Sequence, residues 1–323
     1  VGLGEDSFVQ ALRDLQAGAL KKIYAQDPHT TIEHRPFPRK DLLQKEKYIT
    51  LNTVEAIRGC CHQCSFCAYP QAFGTRLYKR TIEDITGEIR TLKGKIVVFP
   101  DGNLISDFAF AKDLFKSMIP LKKWWFGLTT SAVGSDDELF KESGCKGLLI
   151  GFESVNQATQ ANLQKGVNKV SEYKALMNKL HKYGIMVMGC FAFGSDEDHP
   201  DVFQRTLELC NDAKIGLPRF AVITPFPRTP FYNDLEREGR ITERDWALYD
   251  VEHVVYQPKH MTKKELEDGI SSTWRQAYSI RSILRRMDFR NFRHRRLEDV
   301  LYFAPLLGNR KYTRVFRIFD DSL

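Results

Sequence analysis

Arg58-Gly59-Cys60-Cys61-His62-Gln63-Cys64-Ser65-Phe66-Cys67 crowds four thiols into one short stretch of a 323-residue chain. Taken as Cys60-x3-Cys64-x2-Cys67, it offers three thiolates on a single tight loop. Three soft ligands suit a [4Fe–4S] cluster and leave one iron without a protein ligand, which is where chemistry can happen. A closed structural zinc site needs four ligands. Cys61 or His62 can supply a fourth locally, whereas the usual zinc pattern draws on a second ligand pair far along the chain. Unligated core cysteines are a poor account of so dense a group. The cluster reading therefore leads, with zinc as the alternative. Seven cysteines in a long chain, an odd number with four together, also argue against a secreted disulfide framework. Clustered thiols imply a reducing compartment, and the cytoplasm is the expected location.

On either side of this stretch the sequence alternates between strand and helix signals. Apolar β-rich runs fall at Tyr48–Ile57, Lys95–Phe99, Trp124–Thr130, Gly147–Phe152, Ile185–Phe193 and Arg219–Thr224. Between them lie helical stretches at Thr81–Leu92, Phe108–Met118, Asp136–Glu142, Val170–Tyr183 and Asp201–Ala213, with apolar residues at spacings of three and four. Runs without strict alternation suit strands covered on both faces. Strands joined by crossover helices call for a parallel sheet. Six such units predict an α/β fold, a partial or open (β/α)6 barrel rather than a complete eightfold one. The cysteine stretch follows the first strand directly, where parallel barrels place active-site loops. Three regions are expected: residues 1–45 as a helix (Asp6–Leu15, with a capping residue just before it) and linker, 46–235 as the barrel, and 236–323 as a mainly helical, Arg-rich extension.

The chain carries 48 Lys and Arg against 41 Asp and Glu, a net charge of +7. Twelve of those cations against three acids fall in residues 275–317, so the main body is nearly neutral. A basic tail points to a local partner or surface patch rather than to a nucleic-acid machine. Ile280, Ile283, Leu284 and Met287 form one helical stripe, with Arg281, Arg285 and Arg286 off it. The stripe is read as packed on the barrel with solvated arginines, or as a surface helix on anionic lipid, or as an RNA contact. No apolar run approaches the roughly 20 residues of a membrane span. Cys145, Cys190 and Cys210 are expected in the core, with Cys190 facing the cavity as the alternative, and His181 at the surface.

The C-x3-C-x2-C spacing after the first strand of a βα series resembles the radical S-adenosylmethionine (SAM) superfamily over about residues 45–235. That resemblance implies a [4Fe–4S] cluster on Cys60, Cys64 and Cys67, and reductive cleavage of SAM to a 5′-deoxyadenosyl radical that abstracts hydrogen from an unactivated carbon. It implies cofactor contacts from Asp101 and Gly102 (in Phe99-Pro100-Asp101-Gly102-Asn103), from Glu153 and Ser154 (in Ile150-Gly151-Phe152-Glu153-Ser154), from Phe66, and from Thr224 at the last strand end. Asp101-Gly102 taken alone reads as an ordinary turn. Glu153 after a buried strand needs a partner whatever its role. No catalytic acid or base is identified.

Val1-Gly2-Leu3-Gly4-Glu5-Asp6-Ser7-Phe8, Phe37-Pro38-Arg39-Lys40-Asp41 and Thr224-Pro225-Phe226-Pro227-Arg228-Thr229-Pro230 resemble the B12-type branch of the superfamily. Methylation or another C–C or ring-forming step is the chemistry that branch implies. Its cobalamin domain is missing, so cobalamin is expected only with an upstream domain, and Cys61 stands where many relatives have proline. An unknown small-molecule or lipid-like substrate, an electron donor such as flavodoxin or ferredoxin, and membrane contact through the basic tail are the expected partners. The alternatives are a non-catalytic Fe–S or zinc protein with a nucleic-acid-binding tail, and a methylthiotransferase acting on RNA. The latter usually needs a second cysteine triad, which is not visible here.

Overall fold

Most of the apolar runs become strands, and the amphipathic stretches between them become helices. In chain order the elements are α1 (Glu5–Gln16), β1 (Ile57–Arg58), α2 (Tyr69–Phe73), β2 (Tyr78–Lys79), α3 (Ile82–Thr91), β3 (Ile96–Phe99), α4 (Phe108–Met118), β4 (Trp124–Thr129), α5 (Asp137–Glu142), β5 (Cys145–Glu153), α6 (Gln157–Asn162), α7 (Tyr173–Lys182), β6 (Met186–Phe193), α8 (Val202–Asp212), β7 (Leu217–Val222), α9 (Pro230–Arg237), α10 (Lys263–Ala277) and α11 (Ile280–Arg286). The structure, a computed structural model, describes residues 2–27, 29–135 and 137–287.

Strands β3 to β7 form one parallel sheet in sequence order. Side-chain caps start several of the helices that follow strands. Asp107 accepts from the Phe110 amide, Asn156 from Ala158 and Thr229 from Tyr232. Each such cap satisfies an amide the helix itself leaves open.

One face of the sheet is covered by helices. Trp125 stacks on Phe115 and meets Phe140, Phe152 meets Tyr173 and Phe191, and Phe220 meets Trp274 edge-on. Fully burying one such aromatic is worth roughly 1.5–3 kcal/mol. The side chains that alternate to the other, concave face stay half-buried: Val98, Phe126, Leu128, Leu149, Met188 and Cys190.

Three expectations are corrected. The predicted first strand, Tyr48–Ile57, contributes only one parallel bridge, Thr53 to Val98, flanked by Val54 N donating to Val98 O and Val98 N to Asn52 O. Beyond Val54 the ladder stops because the buried Asp101 carboxylate accepts from the Ala56 and Ile57 amides in place of a strand carbonyl. Ile57–Arg58 then pairs antiparallel with Tyr78–Lys79. His181 is buried, not at the surface, because it shares the core-facing side of α7 with Tyr173, Met177 and Leu180.

The third correction concerns α11. Ile280 is 59 % and Leu284 51 % exposed, while Ser282 and Arg286 are buried. The inward face is polar because Arg286 Nη1 donates to the Ala277 carbonyl and to Ser282 Oγ, with its guanidinium over the Tyr278 ring. Arg290, Arg293, Arg295 and Arg296 lie outside the described residues. The N-terminal helix starts at Glu5, and its cap, Gly4, makes no side-chain hydrogen bond. Cys145 and Cys210 are buried as expected.

Candidate active site

The cysteine loop reaches the carboxyl ends of the parallel strands and is tied down there by its own backbone. Ser65 N donates to Leu163 O at the end of α6, and Phe231 N, at the start of α9, donates to Ser65 O. Gly59 opens the loop at φ +99°, and a Cβ there would lie 2.1 Å from the Arg76 carbonyl oxygen. Only glycine combines that backbone with that approach. The segment leading into the loop is braced by a buried ionic cluster. Arg80 Nη1 reaches Glu88 and the Glu55 carbonyl, and Lys40 Nζ reaches Glu88 and the Thr53 carbonyl.

Cys60, Cys64 and Cys67 are electrostatic neighbours on this loop. Burial pushes the Cys64 thiol up to about 11 and raises that of Cys67. A thiol so placed gives up its proton when a metal takes the proton's place. Among the described residues no three His, Cys, Asp or Glu side chains stand close enough together to hold a metal ion, so the donor types and their spacing carry the assignment. Three soft thiols on one loop are the donor set of a cluster. Cys61 is exposed, and its thiol is raised by burial and by Cys60.

Glu153 ends β5 with φ +61°, at a register shift against β6. Its carboxylate forms a buried ion pair with Lys165, each residue 8 % exposed. Burial alone would lower the Lys165 ammonium, but the Glu153 carboxylate beside it prevails and raises it. Lys165 also acts electrostatically on Cys64 and Cys67, which puts the pair beside the loop. A Cβ on Gly151 would lie 2.3 Å from Glu153 Oε1 and 2.7 Å from Lys165 Nζ, so the pair covers the concave face at Gly151.

Asp101 is 2 % exposed. Its Oδ1 takes the Ala56 and Ile57 amides, and its Oδ2 is buried without a hydrogen-bond partner. Burial raises its carboxyl to about 7. Burial raises the Tyr69 hydroxyl and the nearby Gly59 and Gly102 amides oppose that rise, which places the side chain between the second strand end and the cysteine loop. A Cβ on Gly102 would strike the Tyr69 ring at 2.7 Å.

Glu153 and the three cysteines are thus brought together, with Asp101 and Gly102 joined to them through Tyr69. Phe66 is half-buried and packs on the core. Ser154 is buried, with Oγ accepting from the Asn156 amide at the start of α6, and Thr224 accepts from the Val251 amide. Both hydroxyls are engaged in local turns. Lys165 and Tyr69 went unnoticed in the sequence. A lone lysine in a polar loop and a tyrosine before Pro70 look like ordinary surface until the fold brings them in. Two surface hollows, about 340 Å³ beside α7 and about 590 Å³ between α8 and α11, are lined by none of these residues.

A parallel sheet that carries a three-thiol loop at its carboxyl edge, with a buried ion pair beneath the thiols, defines an iron–sulfur type of α/β protein. Residues 54–225 match the Radical SAM superfamily, and the chain belongs to that superfamily. Its members use a [4Fe–4S] cluster and SAM.

The chain is 30 % identical over 287 residues to bacteriochlorophyllide d C-12(1)-methyltransferase of Chlorobaculum tepidum, covering 85 % of this chain and 62 % of that protein. It is 24 % identical over 271 residues to hopanoid C-2 methylase of Rhodopseudomonas palustris, covering 79 % and 49 %. Among solved structures it resembles the radical SAM methyltransferase TsrM of Kitasatospora setae with cobalamin and a [4Fe–4S] cluster bound, at TM-score 0.55 and 18 % identity, covering 60 % of this chain and 41 % of that one. That last likeness concerns the fold. No described helix is long and apolar enough to cross a membrane.

Proposed function

We propose that this chain is the barrel of a radical SAM enzyme that methylates, or otherwise forms a C–C bond at, an unactivated carbon of an apolar substrate. The observation that carries this reading is the three-thiol loop fixed at the strand ends, with the Glu153–Lys165 pair between it and the concave sheet face. The methyltransferase relatives support the reaction class. A [4Fe–4S] cluster with SAM bound supplies one-electron cleavage of the sulfonium.

The chain's own residues do the rest. Cys60, Cys64 and Cys67 hold the cluster. Glu153 and Lys165 offer a carboxylate to an ammonium and an ammonium to a carboxylate, the two charges of a bound amino acid. Asp101 Oδ2 is the buried acceptor left open for a further donor. Phe66 borders the loop, Tyr69 and Gly102 fix its approach to the second strand, and Ser154 and Thr224 shape the turns around it. Divisions near residues 45 and 235 bound this unit. The reaction needs one electron from a donor, and flavodoxin or ferredoxin suits the role.

Anaerobically reconstituted protein with dithionite and SAM tests the reading. Release of 5′-deoxyadenosine, lost in Cys64→Ala, is the expected result, and an iron-loaded protein that leaves SAM intact refutes it. We also propose that Ile280 and Leu284, exposed beside Arg281 and Arg285, rest on an anionic membrane surface. Salt-sensitive co-sedimentation with anionic but not neutral vesicles is expected, and no binding at low salt refutes it.

A further inference from the structure

The concave face of the sheet is mostly apolar, and its floor is low. Phe126 pairs with Gly147, Gly151 with Cys190, and Ala192 with Ala221, so small residues recur across neighbouring strands. The Phe126 ring lies against Gly147, where a Cβ would come within 2.7 Å of it. Leu128, Leu149 and Met188 complete a half-buried apolar surface. At the amino-end rim Lys95 and Lys146 flank the Trp124 ring, and at the carboxyl-end rim stand Glu153 and Lys165.

Between those rims one charged residue of the described strands pairs onto this face. Arg219, on the edge strand β7, stands opposite Cys190 in the ladder, and its neighbours Pro218 and Phe220 are buried. Arg219 is exposed, and no described residue hydrogen-bonds it or closes an ion pair with it. The Glu252 carboxylate acts on it only through space. A guanidinium presents a fork that matches a carboxylate, and here no group among the described residues fills it.

We propose that this face seats a flat apolar molecule bearing a carboxylate, with Arg219 taking the carboxylate as a specificity-determining residue. The proposal rests on the reading above that the reacting centre lies at the cysteine loop. Arg219 and Gly151 occupy one row, two interstrand spacings apart, and the Glu153–Lys165 pair covers Gly151. The molecule therefore spans about 10 Å from its anchored end to the pair beside the loop. A ring system fits better than a thin chain, because a broad, low floor buries apolar area over two dimensions.

The test uses the reconstituted full chain and 1-pyrenebutyrate, with its methyl ester as the uncharged probe and hexadecanoate as a flexible competitor, read by tryptophan-to-pyrene energy transfer. Wild-type protein is expected to bind the acid about ten- to a hundredfold more tightly than the ester, the worth of a charge-assisted hydrogen bond. Arg219→Gln should abolish that preference by weakening the acid alone, with iron content unchanged. Leu149→Gln should weaken both probes. Arg90→Gln, at an exposed position on α3, should behave as wild type. Equal binding of acid and ester by wild-type protein, or a preference that survives Arg219→Gln, overturns the proposal. Hexadecanoate displacing 1-pyrenebutyrate with an affinity equal to the pyrenebutyrate's own overturns the flat shape. A preference that depends on Arg219 in a protein that fails to cleave SAM would leave the seat standing and sink the proposed reaction instead.

Discussion

Replacing Lys165 by methionine removes one half of a buried ion pair and leaves the Glu153 carboxylate without its counter-charge. Both residues are 8 % exposed, so water restores little of what is lost. Breaking such a pair from one side costs about 3–5 kcal/mol, because an uncompensated charge stays buried. Lys165→Met with Glu153→Gln removes both charges and leaves an amide whose unmet hydrogen bonds cost about 1–3 kcal/mol. The double variant should therefore be more stable than the single Lys165→Met chain by roughly 1–3 kcal/mol. Urea unfolding of the cluster-free chain, with and without each substitution, measures this without a contribution from metal binding. Equal m-values show that the unfolded states are comparable. The reasoning fails if Lys165→Met lies within about 1 kcal/mol of wild type, or if the double variant is no more stable than the single.

Cys60→Ala, Cys64→Ala and Cys67→Ala should each lose the iron and sulfide of the reconstituted protein, about four of each per chain, whereas Cys61→Ala should keep them; colorimetric analysis reads this, and loss in Cys61→Ala with retention in Cys60→Ala places the ligands one residue away. Burial holds the Asp101 carboxyl near 7, above its unfolded value of about 3.9. Its contribution to stability is therefore complete below about pH 4 and is lost as pH rises to about 7, by at most about 4 kcal/mol. Asp101→Asn should flatten that decline, seen as urea midpoints at pH 5 and pH 8 that lie closer together than in wild type; parallel profiles would contradict the burial argument. Gly59→Ala forces a Cβ to 2.1 Å from a backbone oxygen at positive φ and should cost about 2–5 kcal/mol; a melting temperature within about 2 °C of wild type would show that the loop can re-route.

The parallel sheet was legible because its strands are apolar on both sides, and their runs stand out whatever covers them. Tyr48–Ile57 is a β-rich run too, yet it makes one bridge to the parallel sheet, because the acceptor for Ala56 and Ile57 is a side chain from residue 101. No local pattern announces that. His181 lies four residues after Met177 and next to Leu180, so its spacing already marked the core face; its polarity misled. Over the two turns of α11 the apolar spacing pointed the wrong way, since Ser282 and Arg286 find partners in Asn211 and the Ala277 carbonyl. The three thiols were readable because their ligand spacing is local, and Glu153 because a carboxylate at the end of a buried strand needs a partner. Which residue provides that partner depends on how the segment after α6 folds back, and Lys165 follows from tertiary structure alone.

The two backbone tethers of Ser65 have a consequence for the order in which the protein matures. One tether is the carbonyl of Leu163 and the other the amide of Phe231, both far downstream of the thiols they hold in place. As the chain leaves the ribosome, Cys60, Cys64 and Cys67 are exposed to solvent well before either tether has been synthesised. A nascent chain that ends short of Phe231 has the ligands but only half of their anchorage. Iron and sulfide delivered at that stage would meet a slack loop, and delivery after residue 231 has emerged meets a formed one. Both tethers of Ser65 are thus available to the three thiols only after residue 231 has been synthesised.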